Sequence, residues 1–327
     1  MMKRAILAGL VACMLGLPNA VQAQEGSNAF SFIAIGDTPY KLPDDYAKFD
    51  RLISAINTAK PSFTVHVGDI KSSSTPCSDE IYGEVIKRFQ AFENPLLYTP
   101  GDNEWTDCHR ERAGRHDPVD RLKRVRQLFF ADPSKTFGKT ALQVESQSRV
   151  MPEKFSAFVE NARFVKNGVL FVTVHLVGSN NNFEPRNRAT VAEYFERNEA
   201  NLAWIDAAFV KAKAENMKAM VIMAQADLYD LKQQYPAVPY ASGYNDTIQA
   251  VERGAKSFDR PLLYVHGDEH RFVVDRMRGT NYKPIPKAKR LQVYGETQVH
   301  GVRVTVDPDT PGVFGYIPLI VPENGEY

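Results

Sequence analysis

Four times in this chain an apolar run ends in Gly-Asp. The runs are Ile33-Ala34-Ile35-Gly36-Asp37, Val65-His66-Val67-Gly68-Asp69, Leu97-Tyr98-Thr99-Pro100-Gly101-Asp102 and Leu263-Tyr264-Val265-His266-Gly267-Asp268. Each reads as a buried strand. In an open α/β sheet, ligands bind in the loops at the carboxyl ends of strands. A glycine there lets the backbone turn sharply, and the carboxylate beside it is aimed above the sheet. One such match is an ordinary turn or helix cap, because Asp is favoured at both. Four together constrain the chain to a sheet that gathers acidic residues at one edge.

Helix-like and strand-like segments alternate along the chain, which favours an α/β class. Phe49, Leu52, Ile53 and Ile56 have helical spacing and predict a helix over Asp45–Ala59. A second helix is expected over Ser78–Phe92, and a long amphipathic one over Glu193–Ala214, with Trp204 as its anchor. Strands are expected at Val169–Val174, ending in His175, and at Met220–Ala224, leading to Gln225. Alternating strands follow around 272–275, 290–294, 302–306 and 314–321.

The first residues have the anatomy of an export signal. Lys3 and Arg4 precede an apolar stretch from Ala5 to Leu17, too short to span a bilayer. Val21-Gln22-Ala23 is a small-residue cleavage pattern, so residues 1–23 read as a signal peptide and the mature chain as a single domain over 24–327. Leu10-Val11-Ala12-Cys13 also resembles a lipidation signal at Cys13. A periplasmic or secreted location follows, where disulfides persist. Of three cysteines, Cys77 and Cys108 remain outside the signal. Both follow a strand-terminal Gly-Asp closely. A bridge between them, two free thiols and a metal site are the open readings.

The formal net charge is +1, and about −1 without Lys3 and Arg4. This argues against bulk nucleic-acid binding. No Gly-x-Gly-x-x-Gly or P-loop pattern marks a nucleotide module. Between Cys108 and Ser134 runs a basic stretch. Its first arginines, Arg110 and Arg112, follow the third Gly-Asp and would suit an anionic phosphate. The other reading of the stretch is a solvated helix face, with Leu122, Val125, Leu128 and Phe129 supplying the buried side. After His175 comes a polar loop, Gly178-Ser179-Asn180-Asn181-Asn182, expected at the same carboxyl edge.

The order of these pieces resembles the calcineurin-like metallophosphoesterases, including the purple acid phosphatase branch. The resemblance runs through Gly36-Asp37, Gly68-Asp69, Gly101-Asp102-Asn103-Glu104, Asn201-Leu202-Ala203-Trp204-Ile205 ahead of Gln225-Ala226-Asp227-Leu228-Tyr229, and Gly267-Asp268-Glu269-His270. It implies a four-layer sandwich, two mixed β-sheets flanked by helices, and hydrolysis of phosphate esters at a two-metal centre. Two cations hold the phosphoryl oxygens and lower the pKa of a bound water. Carried over by position, Asp37 and His270 bind the first metal, Asp69 bridges, and Asp102, Gln225 and Asp268 face the second.

Several positions depart from the family pattern. Pro39 stands where many relatives have a histidine, with Tyr40 beside it. Asp102 replaces an asparagine, and Gln225 and Asp268 replace histidines. Asn103 stands where relatives place the histidine that assists the leaving group. The implied cofactor is a pair of divalent ions, and an oxygen-rich second position suits Mn²⁺, Mg²⁺ or Ca²⁺ better than Zn²⁺, with Fe also open. Among His175, His109 and His116, the strand-end position favours His175 for proton transfer. Glu104 reads as a support for neighbouring backbone. His66, His266 and Glu269 read as lying outside the ligand set. Two functions follow. One is an exported phosphoesterase acting on a small phosphorylated substrate. The other is a non-catalytic relative that serves as a binding or interaction protein of the cell envelope.

Overall fold

The structure is a computed structural model, and it describes residues 28–184, 188–229 and 242–325. The expected signal segment, its cleavage point before Gln24 and Cys13 lie outside the described residues. Among the described residues no helix is long and apolar enough to cross a membrane.

Two mixed sheets form the centre. The first has five strands: β1 (Phe30–Ile35), β2 (Thr64–His66), β3 (Leu96–Tyr98), and later β11 (Gly301–Asp307) and β12 (Val313–Leu319), in the order β12-β11-β1-β2-β3. The second has seven: β4 (Glu145–Ser146), β5 (Ala162–Lys166), β6 (Val169–Thr173), β7 (Ala219–Met223), β8 (Leu262–His266), β9 (Val273–Arg278) and β10 (Pro284–Gln292), in the order β4-β5-β6-β7-β8-β10-β9. β1, β2 and β3 run parallel, as do β6, β7, β8 and β10. The remaining strands pair antiparallel at the flanks.

Strand alternation sorts the apolar side chains into layers. Phe32 and Ala34 face inward and join Phe63, Phe171, Val221, Val265 and Leu291 between the two sheets. Ile33 and Ile35 face the other way, onto the helices Tyr46–Ala59, Asp79–Phe89 and Pro118–Phe129, through Phe49, Leu52, Phe89 and Val125. On the far side, Leu170, Met220 and Leu262 pack against Trp204, Ile205 and Phe209 of the helix Arg188–Ala214 and Ile248 and Val251 of the helix Asn245–Phe258. The result is helix, sheet, sheet, helix. β6, β7 and β8 are buried along their whole length, as strands covered on both faces must be.

The helix Asp79–Phe89 is shorter than the Ser78–Phe92 expectation. Ser78 is its N-cap, accepting from the Ile81 N–H at 3.3 Å. Asp79 and Glu80 open it and Lys87 and Arg88 close it, both favourable to the helix dipole. The long helix starts five residues earlier than expected, at Arg188. Thr190 and Glu193 are buried there, so apolar spacing alone gave no sign of this turn.

Candidate metal centre

The parallel order carries four Gly-Asp loops to one edge. Asp37, Asp69 and Asp102 follow β1, β2 and β3, while Gln225 follows β7, and Asp268 and His270 follow β8. The loops interlock through backbone hydrogen bonds. The Asp37 N–H donates to the Gly68 carbonyl at 2.9 Å, and the Gly267 N–H to the Gln225 carbonyl at 3.0 Å. The Asp268 N–H reaches both Asp37 carboxylate oxygens, at 3.1 and 3.2 Å, which ties the two sheets together at the site.

Asp37, Asp69 and His270 form one cluster. Each offers a ligand atom, and these atoms lie within 4.8 Å of one another. His270 Nε2 is 3.6 Å from Asp37 Oδ1, and its Nδ1 is 3.5 Å from Glu296 Oε2. A carboxylate on the other ring nitrogen orients a metal-binding histidine and raises its basicity. Burial pushes the Asp37 carboxyl well above the usual range, opposed by the Asp268 N–H and reinforced by Asp102 and Glu104. Burial likewise raises Asp69, with Asp102 and Glu104 adding to it. Burial lowers His270, against the pull of Glu296. Two buried carboxylates that resist ionisation and an imidazole that resists protonation form a donor set that a divalent cation satisfies. The residues fit one cation of the oxygen-and-imidazole kind.

The other half of the site is arranged differently. Gln225 Nε2 donates to Asp102 Oδ1 at 3.2 Å and to Asp268 Oδ1 at 3.1 Å. Its Oε1 accepts from the Gly178 N–H at 2.6 Å. Ser179 Oγ lies 2.9 Å from Asp102 Oδ2 and 3.0 Å from Asp107 Oδ1, within reach of either carboxylate for its single proton. Asn103 lies across the two halves. Its Nδ2 donates to Asp69 Oδ2 at 2.7 Å and to the Tyr40 hydroxyl at 3.2 Å. The Tyr40 ring meets the His270 ring edge-on with centroids 4.9 Å apart. Burial, then Asp69 and Asp37, push the Tyr40 hydroxyl far up, so it stays protonated.

The Gly178–Asn182 loop owes its shape to backbone in the left-handed region. Ser179, Asn180, Asn181 and Asn182 have φ of 49°, 53°, 57° and 58°. Asn tolerates this region because its short amide bonds locally. Arg197 anchors the turn by donating to the Asn181 carbonyl at 2.8 Å and to its side-chain oxygen at 2.5 Å. Tyr244 donates to the Val177 carbonyl at 2.9 Å.

Beneath the loops, Cys77 and Cys108 form a disulfide with Cα atoms 5.8 Å apart. It joins the segment after β2 to the segment after β3, and by loop entropy contributes about 3–4 kcal/mol. Glu104 is fully buried and accepts from the Tyr98 hydroxyl at 2.8 Å and the Ile70 N–H at 3.2 Å, the backbone-supporting part expected of it.

His175 lies elsewhere in the network. It is fully buried, with Nδ1 2.7 Å from Glu160 Oε1 and its ring against Trp105. Arg126 donates to the same carboxylate at 2.6 Å. Arg110 pairs with Asp107 at 2.9 Å, one step out from Asp102, and Arg112 is exposed. Arg121 and Arg124 are committed to Asp79. His109 is exposed and His116 half-buried. His66 and His266 are buried within their strands, where burial lowers each to about 4.

Sequence reasoning missed Asp107, Lys71 and Glu296, and it placed Ser179 at the site edge only as part of the polar loop, without its bond to Asp102. Burial, with Asp102 next, pushes the Asp107 carboxyl up to about 7 against the pull of Arg110. Lys71 is a buried cation, lowered to about 8 by burial and supported by Glu104 and Asp69. Glu296 carried a readable signal: Tyr294-Gly295-Glu296 after β10 repeats the strand-end glycine-acid pattern. Asp107 and Lys71 carried none beyond nearness in sequence to Asp102 and Asp69.

No family model matches the chain, and no curated protein matches it. Solved structures do match in fold. GAP50, the anchor in the inner membrane complex of Plasmodium, aligns with TM-score 0.51 and 10% identity, over 90% of this chain and 89% of that one. A dimetal phosphatase from Danio rerio aligns with TM-score 0.50 and 13% identity, over 89% of this chain and 98% of that one. The purple acid phosphatase PPD1 from yellow lupin (Lupinus luteus) seeds aligns with TM-score 0.48 and 10% identity, over 92% of this chain and 55% of that one. At these identities the likeness is one of fold. The four-layer sandwich expected from the metallophosphoesterase resemblance is the fold observed.

Proposed function

We propose that this chain, with its metallophosphoesterase-type fold, is an exported, metal-dependent hydrolase of phosphate esters. The observation that carries the reading is the convergence of Asp37, Asp69 and His270 within 4.8 Å of one another. They come from three different strand ends, in a fold shared with a dimetal phosphatase. In this reading these three residues hold the cation. When bound, the cation supplies charge neutralisation of a phosphoryl oxygen and a water that ionises near neutral pH.

The chain's own residues do the rest. Asp69 and His270 hold the cation from opposite sheets. Glu296 fixes the His270 ring from behind. Asn103 has an amide that donates but does not titrate, so its part is to orient Asp69 and a substrate oxygen. Arg110 lies near enough to Asp107 to be held at the rim, where a guanidinium suits an incoming phosphate. Arg112 would serve the same end from its exposed position. His175 is bonded to a buried carboxylate and packs on Trp105, so its part in this reading is to position the Trp105 segment beside Asp102. The expected export signal and the disulfide support a periplasmic or secreted location.

A second reading is a binding or interaction protein of the cell envelope. Its support is that Gln225 offers its amide hydrogens to Asp102 and Asp268, and that an anchor protein shares the fold.

Hydrolysis of an aryl phosphate and an aryl phosphodiester separates the two. The chain is assayed with Mn²⁺, Mg²⁺, Ca²⁺, Zn²⁺ and Fe²⁺ in turn, beside Asp69→Asn. The hydrolase gives a rate that depends on the metal and falls at least about a hundredfold in Asp69→Asn. No rate above the Asp69→Asn background with any metal rejects the hydrolase and leaves the binding protein.

A further inference from the structure

The fold implies two metal positions, and the residues of this chain fit only one of them. The decisive residue is Gln225. An amide has an acceptor end and a donor end, and hydrogen bonding decides which is which. Here the acceptor end is fixed. Gln225 Oε1 takes the Gly178 N–H at 2.6 Å, and Gln225 is fully buried. Turning the amide over would set its NH₂ against that N–H and leave a buried backbone donor unsatisfied. The donor end therefore points at Asp102 Oδ1 and Asp268 Oδ1, at 3.2 and 3.1 Å.

Other donors converge on the same two carboxylates. Asp102 Oδ2 lies 2.9 Å from the Ser179 hydroxyl, and Asp268 Oδ2 takes the Asp227 N–H at 3.2 Å. Every carboxylate oxygen of the pair thus has a protein donor group within hydrogen-bond distance. Gly178 also packs close against the pair: a Cβ on it would lie 2.6 Å from Asp268 Oδ1 and 2.9 Å from Asp102 Oδ2. The oxygens of Asp37 and Asp69 also accept hydrogens, from the Asp268 N–H and from Asn103. The difference is that an imidazole nitrogen faces Asp37 and the three ligand atoms lie within 4.8 Å of one another, whereas an amide NH₂ lies between Asp102 and Asp268.

We infer that Gln225 occupies the second metal position as a hydrogen-bond donor, and that the centre holds a single cation at Asp37, Asp69 and His270. This rests on the metal-dependent reading above and deepens it: this is a mononuclear site in a dinuclear fold. Gln225 is a positioning residue that keeps Asp102 and Asp268 paired in place of a metal.

The test is metal stoichiometry. The full chain is equilibrated with excess Mn²⁺ and freed of unbound ion. Bound Mn²⁺ is counted by mass spectrometry, and its spin state is read by electron paramagnetic resonance. Gln225→Glu keeps an acceptor for the Gly178 N–H and replaces the amide donor with a carboxylate. Gln225→His offers a nitrogen ligand as a second variant. The wild type is expected to hold one Mn²⁺ per chain, with the spectrum of an isolated ion. At least one variant is expected to hold two, with the spectrum of an exchange-coupled pair. Two ions in the wild type overturn the inference and leave the hydrolase reading intact. One ion in the wild type and in both variants overturns the part given to Gln225. No bound ion in the wild type overturns the metal-dependent reading and this inference with it.

Discussion

Asp37, Asp69, Asp268 and His270 all have positive φ, at 49°, 56°, 79° and 60°. The strand-end glycines were expected to take the sharp turns. At β1 and β8 the aspartate takes the turn itself, and only Gly68, with φ of 100°, behaves as expected. Glycine is needed for a different reason. A Cβ on Gly101 would lie 2.1 Å from Asp69 Oδ1, and one on Gly267 would lie 2.2 Å from Asp37 Oδ2. Each glycine makes room for the carboxylate of another loop. Backbone held in this sparsely populated region concentrates at functional sites. Glu160 shows the opposite electrostatics to Asp37. Burial works against its ionisation, yet Arg126 and the His175 ring N–H hold its carboxyl well below the usual range. A depressed pKa contributes stability that is present above the unfolded value and is lost as pH falls. Glu160→Gln is therefore expected to destabilise the chain at pH 7 by about 3 kcal/mol. The difference should shrink as pH drops below about 4. Urea unfolding at both pH values reads this, and a pH-independent difference would contradict it.

The Gly178–Asn182 turn is the element through which the long helix acts on the site. Arg197 is fully buried, pairs with Glu193 at 2.6 Å and lies over Trp105. From there it fixes Asn181, and the turn delivers the Gly178 N–H and the Ser179 hydroxyl to Gln225 and Asp102. Gly178→Ala would force the turn away from both carboxylates. Hydrolysis is expected to fall about a hundredfold, with the thermal midpoint lowered by no more than about 8 °C. An unchanged rate would show that the turn does not govern the site. The polar composition of Gly178–Asn182 and its place after a strand were visible, and so was its arrival at the site edge. Its left-handed course was not, because that depends on Arg197, which reads in sequence as one more charge on an amphipathic helix. His175 drew attention for the same strand-end position. The Glu160 carboxylate that holds it comes from a segment with no periodic signal.

Across the molecule, strands and layers were the most legible part, since their alternation is local. β1, β2, β3, β6, β7 and β8 lie where apolar runs placed them. β9 and β10 extend beyond their expected limits because their outer ends are exposed and mixed in polarity. The convergence of strand-end carboxylates was legible from one repeated dipeptide pattern. The chemistry of Gln225 was not, because donor and acceptor ends are set by Gly178, 47 residues away. The two sheets are joined by an aromatic cluster. Phe171 packs on Phe32, Phe63 and Phe164 at 5.6, 5.0 and 5.0 Å between centroids. Phe171→Ala is expected to cost about 3–5 kcal/mol. Denaturant unfolding should show the loss in one transition for both sheets, and a change under about 1 kcal/mol would contradict a shared core.

The metal centre itself is tested most directly by diffraction from crystals grown with Mn²⁺, with data collected at the manganese absorption edge. The expected result is one anomalous peak enclosed by Asp37, Asp69 and His270, with the Gln225 amide still between Asp102 and Asp268. An anomalous map with no peak among those three side chains would contradict the assignment.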